Sequence, residues 1–356
     1  MFQPIKKPID IIKQPFQWIT GVLGNVIYFL LKKITHKNTL PKNVNSILVV
    51  RRNRIGDAIM TALILNSILK ANPLIKITVV ATSYTAAIYR KFTPSVRVLE
   101  LPDKYWGSPY LLAFHPLIKA LKTEMFDVAV NSSGSFSSKA IFILNLFRSR
   151  YRIAVCSKEK RFWSLFVDDG HALHCSLENT HQLIKLASIF KRAGIKLDIP
   201  IIAGAANSTG HFLLFPESNR KNSTWPMESW LQLKSKLESL GYVVSICGSK
   251  QLKSIFQQAL TPNNTEQLIE TVAKYGHIVC SEGGMSHLAA ISKKQITVLS
   301  GVSIQHTWFP WSRDCRLIEK PNRIDVTKVD EVLAVILREV AVESLSLAVD
   351  EAYFSK

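Results

Sequence analysis

The sequence predicts an α/β protein made of two Rossmann-like units in tandem, facing each other across a cleft. Three observations carry this. A chain of 356 residues exceeds what one small hydrophobic core needs and suits two domains. Short apolar β runs alternate with helical periodicities, the signature of parallel sheets covered on both faces. That alternation closes near Gly194 and begins again near His211.

The first unit opens with an apolar run over Ser46–Arg52, followed by helical spacing over Asp57–Lys70 that stops at Asn72-Pro73. Further strands are predicted over Lys76–Thr82, Val96–Leu101, Asp127–Ser132 and Tyr151–Val155. Helices are predicted around Tyr84–Lys91, Leu111–Lys122 and Ser137–Phe147, and Glu178–Ala193 closes the unit. In the second unit the strands are Phe212–Phe215, Tyr242–Cys247, His277–Cys280 and Gln295–Leu299. Its helices are Met227–Leu240, Gln251–Leu260, Glu266–Ala273 and Ser286–Ile291, with an amphipathic helix near Val326–Val342. The expected division is a basic extension over 1–43, domains over 44–205 and 206–325, and a helical tail over 326–356.

Composition narrows the partners. Hydrophobic residues make up 47%, enough for real cores, and 45 Lys and Arg against 26 Asp and Glu leave a net charge of +19. Such a surface favours polyanions: anionic lipid, phosphorylated saccharide, nucleotide or nucleic acid. No recognition-helix or RNA-binding motif supports nucleic acid. The five cysteines are scattered without paired spacing and read as reduced thiols. His171, His174, Cys175 and His181 fit no zinc pattern, so no metal site is expected.

Phe16–Leu31 is uncharged but shorter than the ~18 residues a membrane span requires. Ile12, Phe16, Ile19, Leu23, Val26 and Leu30 recur at helical spacing, with polar residues on another face and lysines on both flanks. A helix over about residues 9–33, lying in the interface of an anionic membrane, explains this pattern. A helix docked on the protein's own surface is the alternative.

Three loops, each at the carboxyl end of a predicted strand, carry candidate chemistry. In Arg51-Arg52-Asn53-Arg54-Ile55-Gly56-Asp57, Gly56 permits a tight turn and Asp57 falls at or near a helix start. An Asp there also serves as an ordinary helix cap. The loop from Phe215 to Pro226 brings Ser218, Asn219, Arg220 and Lys221 beside a helix start, where hydroxyl, amide and basic groups can satisfy phosphate oxygens. In Cys280–Ala290, Glu282 ends a strand. Gly283 and Gly284 let a backbone approach a ligand, and Met285, Ser286 and His287 open a helix with free N–H groups. No Gly-x-Gly-x-x-Gly loop follows the first strand, which argues against a dinucleotide-dependent oxidoreductase.

In their order and spacing these loops resemble those of the bacterial heptosyltransferases of lipopolysaccharide core assembly, glycosyltransferase family 9. The matching elements are the apolar strand leading to Gly56-Asp57, the Trp225-Pro226 pair, the run Glu282–Ala290, Gly301, and Trp308-x-Pro310. The resemblance implies a GT-B architecture, with the acceptor on the first domain and the nucleotide-sugar on the second. It implies inverting, metal-independent transfer without a cofactor, from a donor such as ADP-heptose to a lipid-linked anionic acceptor. Asp57 would be the general base, and Ser218, Asn219, Gly283, Gly284 and the helix start at Met285–His287 would hold the diphosphate. Arg220 or Lys221 would supply the cation, Glu282 would hold the sugar hydroxyls, and Arg52 and Arg54 would meet the acceptor. The implied location is peripheral, at the cytoplasmic face of the bacterial inner membrane.

The chain departs from the family at Glu282 (usually Asp), Gly283 (usually Ser or Thr), Ser223 (a phosphate-binding Lys), near Gln251 (an acidic ribose contact) and at Ala62 (a Pro). These departures bear on donor identity. They also motivate a second expectation: a nucleotide- or glycan-binding relative without catalysis.

Overall fold

A computed structural model describes residues 38–337, apart from 52–53, 103–114, 122, 134, 157–163, 165, 172–179, 204–209, 219, 221–222 and 303–306. The expected N-terminal helix, Arg52, Asn219, Lys221, and the His174-Cys175 pair lie outside the described residues.

The first half is a six-stranded parallel sheet. Its strands are β1 (Ser46–Val50), β2 (Lys76–Thr82), β3 (Arg97–Leu101), β4 (Met125–Asn131), β5 (Arg148–Val155) and β6 (Asp169–His171), in the order β3-β2-β1-β4-β5-β6. Every pairing is parallel. Its helices are α1 (Ile55–Ala71), α2 (Ser83–Phe92), α3 (Pro116–Leu121), α4 (Ser138–Asn145) and α5 (Gln182–Arg192). The second half holds β7 (His211–Phe215), β8 (Val243–Ile246), β9 (His277–Ser281), β10 (Gln295–Ser300) and β11 (Cys315–Glu319) in the order β11-β10-β9-β7-β8, again all parallel. Its helices are α6 (Met227–Ser239), α7 (Leu252–Ile255), α8 (Thr265–Ala273), α9 (Gly284–Ile291) and α10 (Val329–Leu337).

Two-sided burial explains why the strands are apolar without alternation. Along β1, Ile47 and Val49 enter one core while Leu48 and Val50 enter another, all fully buried. The first of these cores is shared between the halves. It runs from β1 through α1, α2 and α5 to Leu213 of β7, Ile278 and Cys280 of β9, and Met285, Leu288 and Ala289 of α9. A separate core, with Trp225 and Trp230 in edge-to-face contact at 5.1 Å, lies on the far side of the second sheet beneath α6 and α10.

Three regions differ from the expectation. Gln251–Leu260 is helical only over Leu252–Ile255, because Phe256 turns extended and Leu260 is drawn into a bridge with Cys247 at the end of β8. Strands β6 and β11 were not anticipated. Asp169-Gly170-His171 is short, polar and at a sheet edge, with no β propensity to read.

Where the halves meet, α1 and α9 touch at their first turns. A Cβ on Gly56 would lie 2.9 Å from Cδ2 of His287 and 3.6 Å from Cα of Gly284. One on Gly284 would lie 3.3 Å from Cβ of Ile55 and 3.4 Å from the Gly56 nitrogen. The two helix starts therefore pack backbone to backbone. The Oγ1 of Thr265 also donates to the Tyr84 carbonyl at 2.7 Å, and Gln182 N–H donates to the Thr307 carbonyl at 2.9 Å. Replacing Gly56 by Val is expected to lower the unfolding free energy by about 1–3 kcal/mol, the usual cost of overpacking a filled contact. Urea denaturation checks it, and an unchanged midpoint would mean the glycines are not in tight contact.

Candidate active site

In each sheet the strand order reverses once: between β1 and β4 in the first, and between β7 and β9 in the second. Ligands of open α/β sheets bind beyond the carboxyl ends of strands at such points. The loops after β1, β7 and β9 are the three that the sequence singled out.

Asp57 is the third residue of α1 and does not cap it: the cap position is Arg54, in extended conformation and without a side-chain hydrogen bond. Oδ1 of Asp57 instead pairs with Nη2 of Arg51 at 2.6 Å. The Arg51 guanidinium, 1% exposed, also donates through Nη1 to the carbonyl of Ser132 just past β4. Asp57 remains partly open, its side chain 14% exposed, at the helix end where the α1 dipole favours an anion. Arg54 is exposed beside it.

Across the contact, Glu282 follows β9 with a side chain only 5% exposed. Ser300 Oγ donates to its Oε2 at 2.7 Å. Its Oε1 accepts no hydrogen bond and lies 3.4 Å from Nε of the half-exposed Arg220. Gly283 has φ +143°, a conformation that side chains rarely adopt, and it is exposed with nothing within 4 Å of where a Cβ would be. Its backbone is open to a ligand, and the N–H groups starting α9 follow it.

The predicted site residues fall into two sets. Asp57, Arg54, Ser218, Arg220, Glu282 and Gly283 lie in the three strand-end loops, all with some exposure except the buried Glu282. Ser218 uses its Oγ to accept from Arg220 N–H at 3.1 Å and so shapes the loop that carries the cation. In the second set, Gly284 packs against the first half, Met285 is in the core, and Ser286 Oγ donates to the Gly283 carbonyl at 2.9 Å. The ring of His287 lies against Gly56. Gly284, Met285 and Ser286 can offer a ligand backbone N–H groups, while the side chains of Met285, Ser286 and His287 are occupied.

The departures are also resolved in part. Ser223, where the family carries a Lys, is fully buried, and its Oγ accepts from Gly301 N–H at 3.2 Å. Trp225 anchors the far end of the same loop, donating through Nε1 to the Thr327 carbonyl at 2.9 Å. The C-terminal end of the loop is thus built in at Ser223 and Trp225, and Arg220, which precedes both, is exposed. Sequence reading missed Arg51. An arginine ending an apolar strand, six residues before an Asp in the next helix's first turn, is the signal that could have found it.

The profile of glycosyltransferase family 9 (heptosyltransferase) matches residues 114–332. The chain belongs to this family. It is therefore a glycosyltransferase of heptosyltransferase type, and its two parallel-sheet halves form the GT-B fold. Similar solved structures include Escherichia coli heptosyltransferase WaaC with ADP, at 18% identity and a TM-score of 0.67, covering 82% of this chain and 98% of that one. A family 9 protein from Veillonella parvula gives 14% identity and a TM-score of 0.68, covering 84% and 98%. The E. coli ADP-heptose lps heptosyltransferase II gives 16% and 0.63, covering 82% and 97%. No curated protein matches the sequence. The family match starts after the Asp57 loop, so the loops after β7 and β9 of this heptosyltransferase-type chain lie within it and Asp57 lies outside it.

Burial fixes the protonation of the histidines at the junction. His181 accepts from Leu183 N–H at Nδ1 (3.1 Å), so Nε2 carries the proton and donates to the Phe309 carbonyl at 2.7 Å. Burial pulls His181 down to about 4, and burial with the neighbouring His181 pulls His287 down to about 3; burial likewise holds His277 near 3. Each binds a proton in the unfolded chain near the ordinary value of 6.5 but not in the folded one until far lower pH. Stability present above pH 6.5 is therefore lost as pH falls toward 4, by about 1.4 kcal/mol per pH unit for each histidine. Urea titrations at pH 7, 6 and 5 should show this decline and a shallower one in His287→Gln. Equal slopes would mean that His287 is not buried neutral.

Proposed function

We propose that the protein moves a heptose, or a related sugar, from an ADP-linked donor to an anionic, lipid-linked saccharide of the lipopolysaccharide-core type, with inversion at the anomeric carbon. The observation that carries this is the backbone contact of Gly56 with Gly284, which brings the helix turn that carries Asp57 against the helix start that follows Glu282-Gly283. A base from one half then faces a phosphate-and-sugar site from the other. Two further facts support it: membership of a heptosyltransferase family, and similarity to a heptosyltransferase solved with ADP and with ADP-2-deoxy-2-fluoro heptose.

In this reading Asp57 takes the proton from an acceptor hydroxyl as its oxygen forms a bond to the anomeric carbon. The bond from that carbon to the diphosphate breaks, and its electron pair leaves with the nucleoside diphosphate. The developing charge is met by Gly283 and the N–H groups starting α9, and by Arg220, with Asn219 and Lys221 beside it in the chain. The reaction so written calls on no metal. Arg220 takes the role of the missing Lys, since Ser223 is committed to Gly301. Glu282, with Oε2 held by Ser300, offers Oε1 to sugar hydroxyls. Arg54 and Arg52 lie in the loop of the base and suit phosphate groups on the acceptor. The basic amphipathic extension and the +19 charge fit work at the cytoplasmic face of an inner membrane.

Truncating Asp57 to Ala would strand the buried Arg51 charge, at about 3–5 kcal/mol, and confuse folding with catalysis. Asp57→Asn keeps the shape. It is expected to reduce turnover of ADP-heptose onto a heptose-deficient lipopolysaccharide at least about 100-fold while leaving ADP binding by calorimetry nearly unchanged. Turnover near the wild-type rate would remove Asp57 as the base. A wild-type protein that binds ADP but transfers no sugar from any nucleotide-sugar would favour the non-catalytic reading.

A further inference from the structure

We propose that Arg51 is the positioning residue of the base: it fixes the Asp57 carboxylate so that one oxygen is tied to the sheet and the other is presented to the acceptor. The proposal rests on Asp57 being the base. It starts from a position that physical chemistry disfavours. Arg51 is 1% exposed, and taking a guanidinium out of water is costly unless it is paired. An apolar residue would continue the β1 pattern of Ile47 to Val50. The charge is instead kept directly under the reversal of strand order, between β1 and β4.

Its contacts join three segments. The backbone N–H of Arg51 donates to the Val80 carbonyl of β2 at 3.1 Å, which fixes where the side chain starts. Nη1 donates to the Ser132 carbonyl beyond β4, and Nη2 meets Oδ1 of Asp57 at 2.6 Å in the first turn of α1. A planar guanidinium held at two of its nitrogens has one orientation. The carboxylate bonded to it loses the broad rotation that a terminal carboxyl otherwise has. With Oδ1 so engaged, Oδ2 is left as the oxygen available for a proton. Arg51 itself is too deeply buried to touch either substrate, so its influence must pass through Asp57. Lysine offers a single point charge and cannot span Ser132 and Asp57 with a rigid fork.

The test compares Arg51→Lys, Arg51→Met and Asp57→Asn by steady-state kinetics with ADP-heptose and heptose-deficient lipopolysaccharide, with ADP affinity by calorimetry and folding by thermal melting. Misplacing a reacting group by an ångström lowers rate by about 100-fold, so Arg51→Met is expected to lose about that factor in kcat. Arg51→Lys should lose about 10-fold, since it keeps the charge without the fork. In both, KM for the donor and ADP affinity should stay near wild type. A folded Arg51 variant with wild-type kcat, or one whose loss lies wholly in KM, overturns the proposal. If Arg51→Met does not fold, Arg51→Lys decides alone by the same criterion. Activity retained in Asp57→Asn is a different failure, because it removes the base and not merely its support.

Discussion

Two helix starts, one from each half, pressed together through glycine are the constraint on which the site depends. Gly56 and Gly284 allow the α1 and α9 backbones to approach without intervening side chains, and Ile55 and the His287 ring close around them. Since α1 follows β1 and α9 follows β9, that contact also brings the loops after those strands to one place. A Cβ at either glycine would crowd this contact, against the His287 ring at 2.9 Å or against Ile55 at 3.3 Å. The apolar core shared by α1, α2, α8 and α9 makes the relative placement of the halves a packing property of the whole molecule.

The two carboxylates of the site are built on the same plan. Each gives one oxygen to its own scaffold: Oδ1 of Asp57 to Arg51, and Oε2 of Glu282 to Ser300. The other oxygen of Glu282, Oε1, accepts no hydrogen bond among the described residues. Their supports differ in kind. Asp57 is held by a buried cation, whereas Glu282 is held by a hydroxyl and has only the half-exposed Arg220 near its other oxygen.

The fold was legible because its strands are buried on both faces. Runs such as Ile47–Val50 and Ile278–Cys280 are apolar throughout and give way to polar residues, so their ends and the loops beyond them could be read directly. What escaped was decided by tertiary context. Strand β6 is three residues with a central glycine, and the helix expected over Gln251–Leu260 loses its second half to a bridge with Cys247. At the candidate site, motif reading picked out loops that lie at strand ends in the structure, but it could not separate residues that are open from those that pack against the other half. Gly283 and Gly284 are adjacent and chemically identical; one is open, and the other is the contact between the halves. His287 and Ser286 stand in the same motif, yet their side chains are spent within the protein. Arg51 lay hidden as one of three arginines in four residues, and only its burial distinguishes it.

The most direct measurement is a crystal structure of the protein with ADP and an unreactive fluorinated donor sugar. The pyrophosphate is expected against Gly283 and the first turn of α9, with the anomeric carbon turned toward the free oxygen of Asp57. A nucleotide seated elsewhere, or a sugar whose anomeric carbon faces away from the first half, would contradict a transfer carried out between these two helix starts.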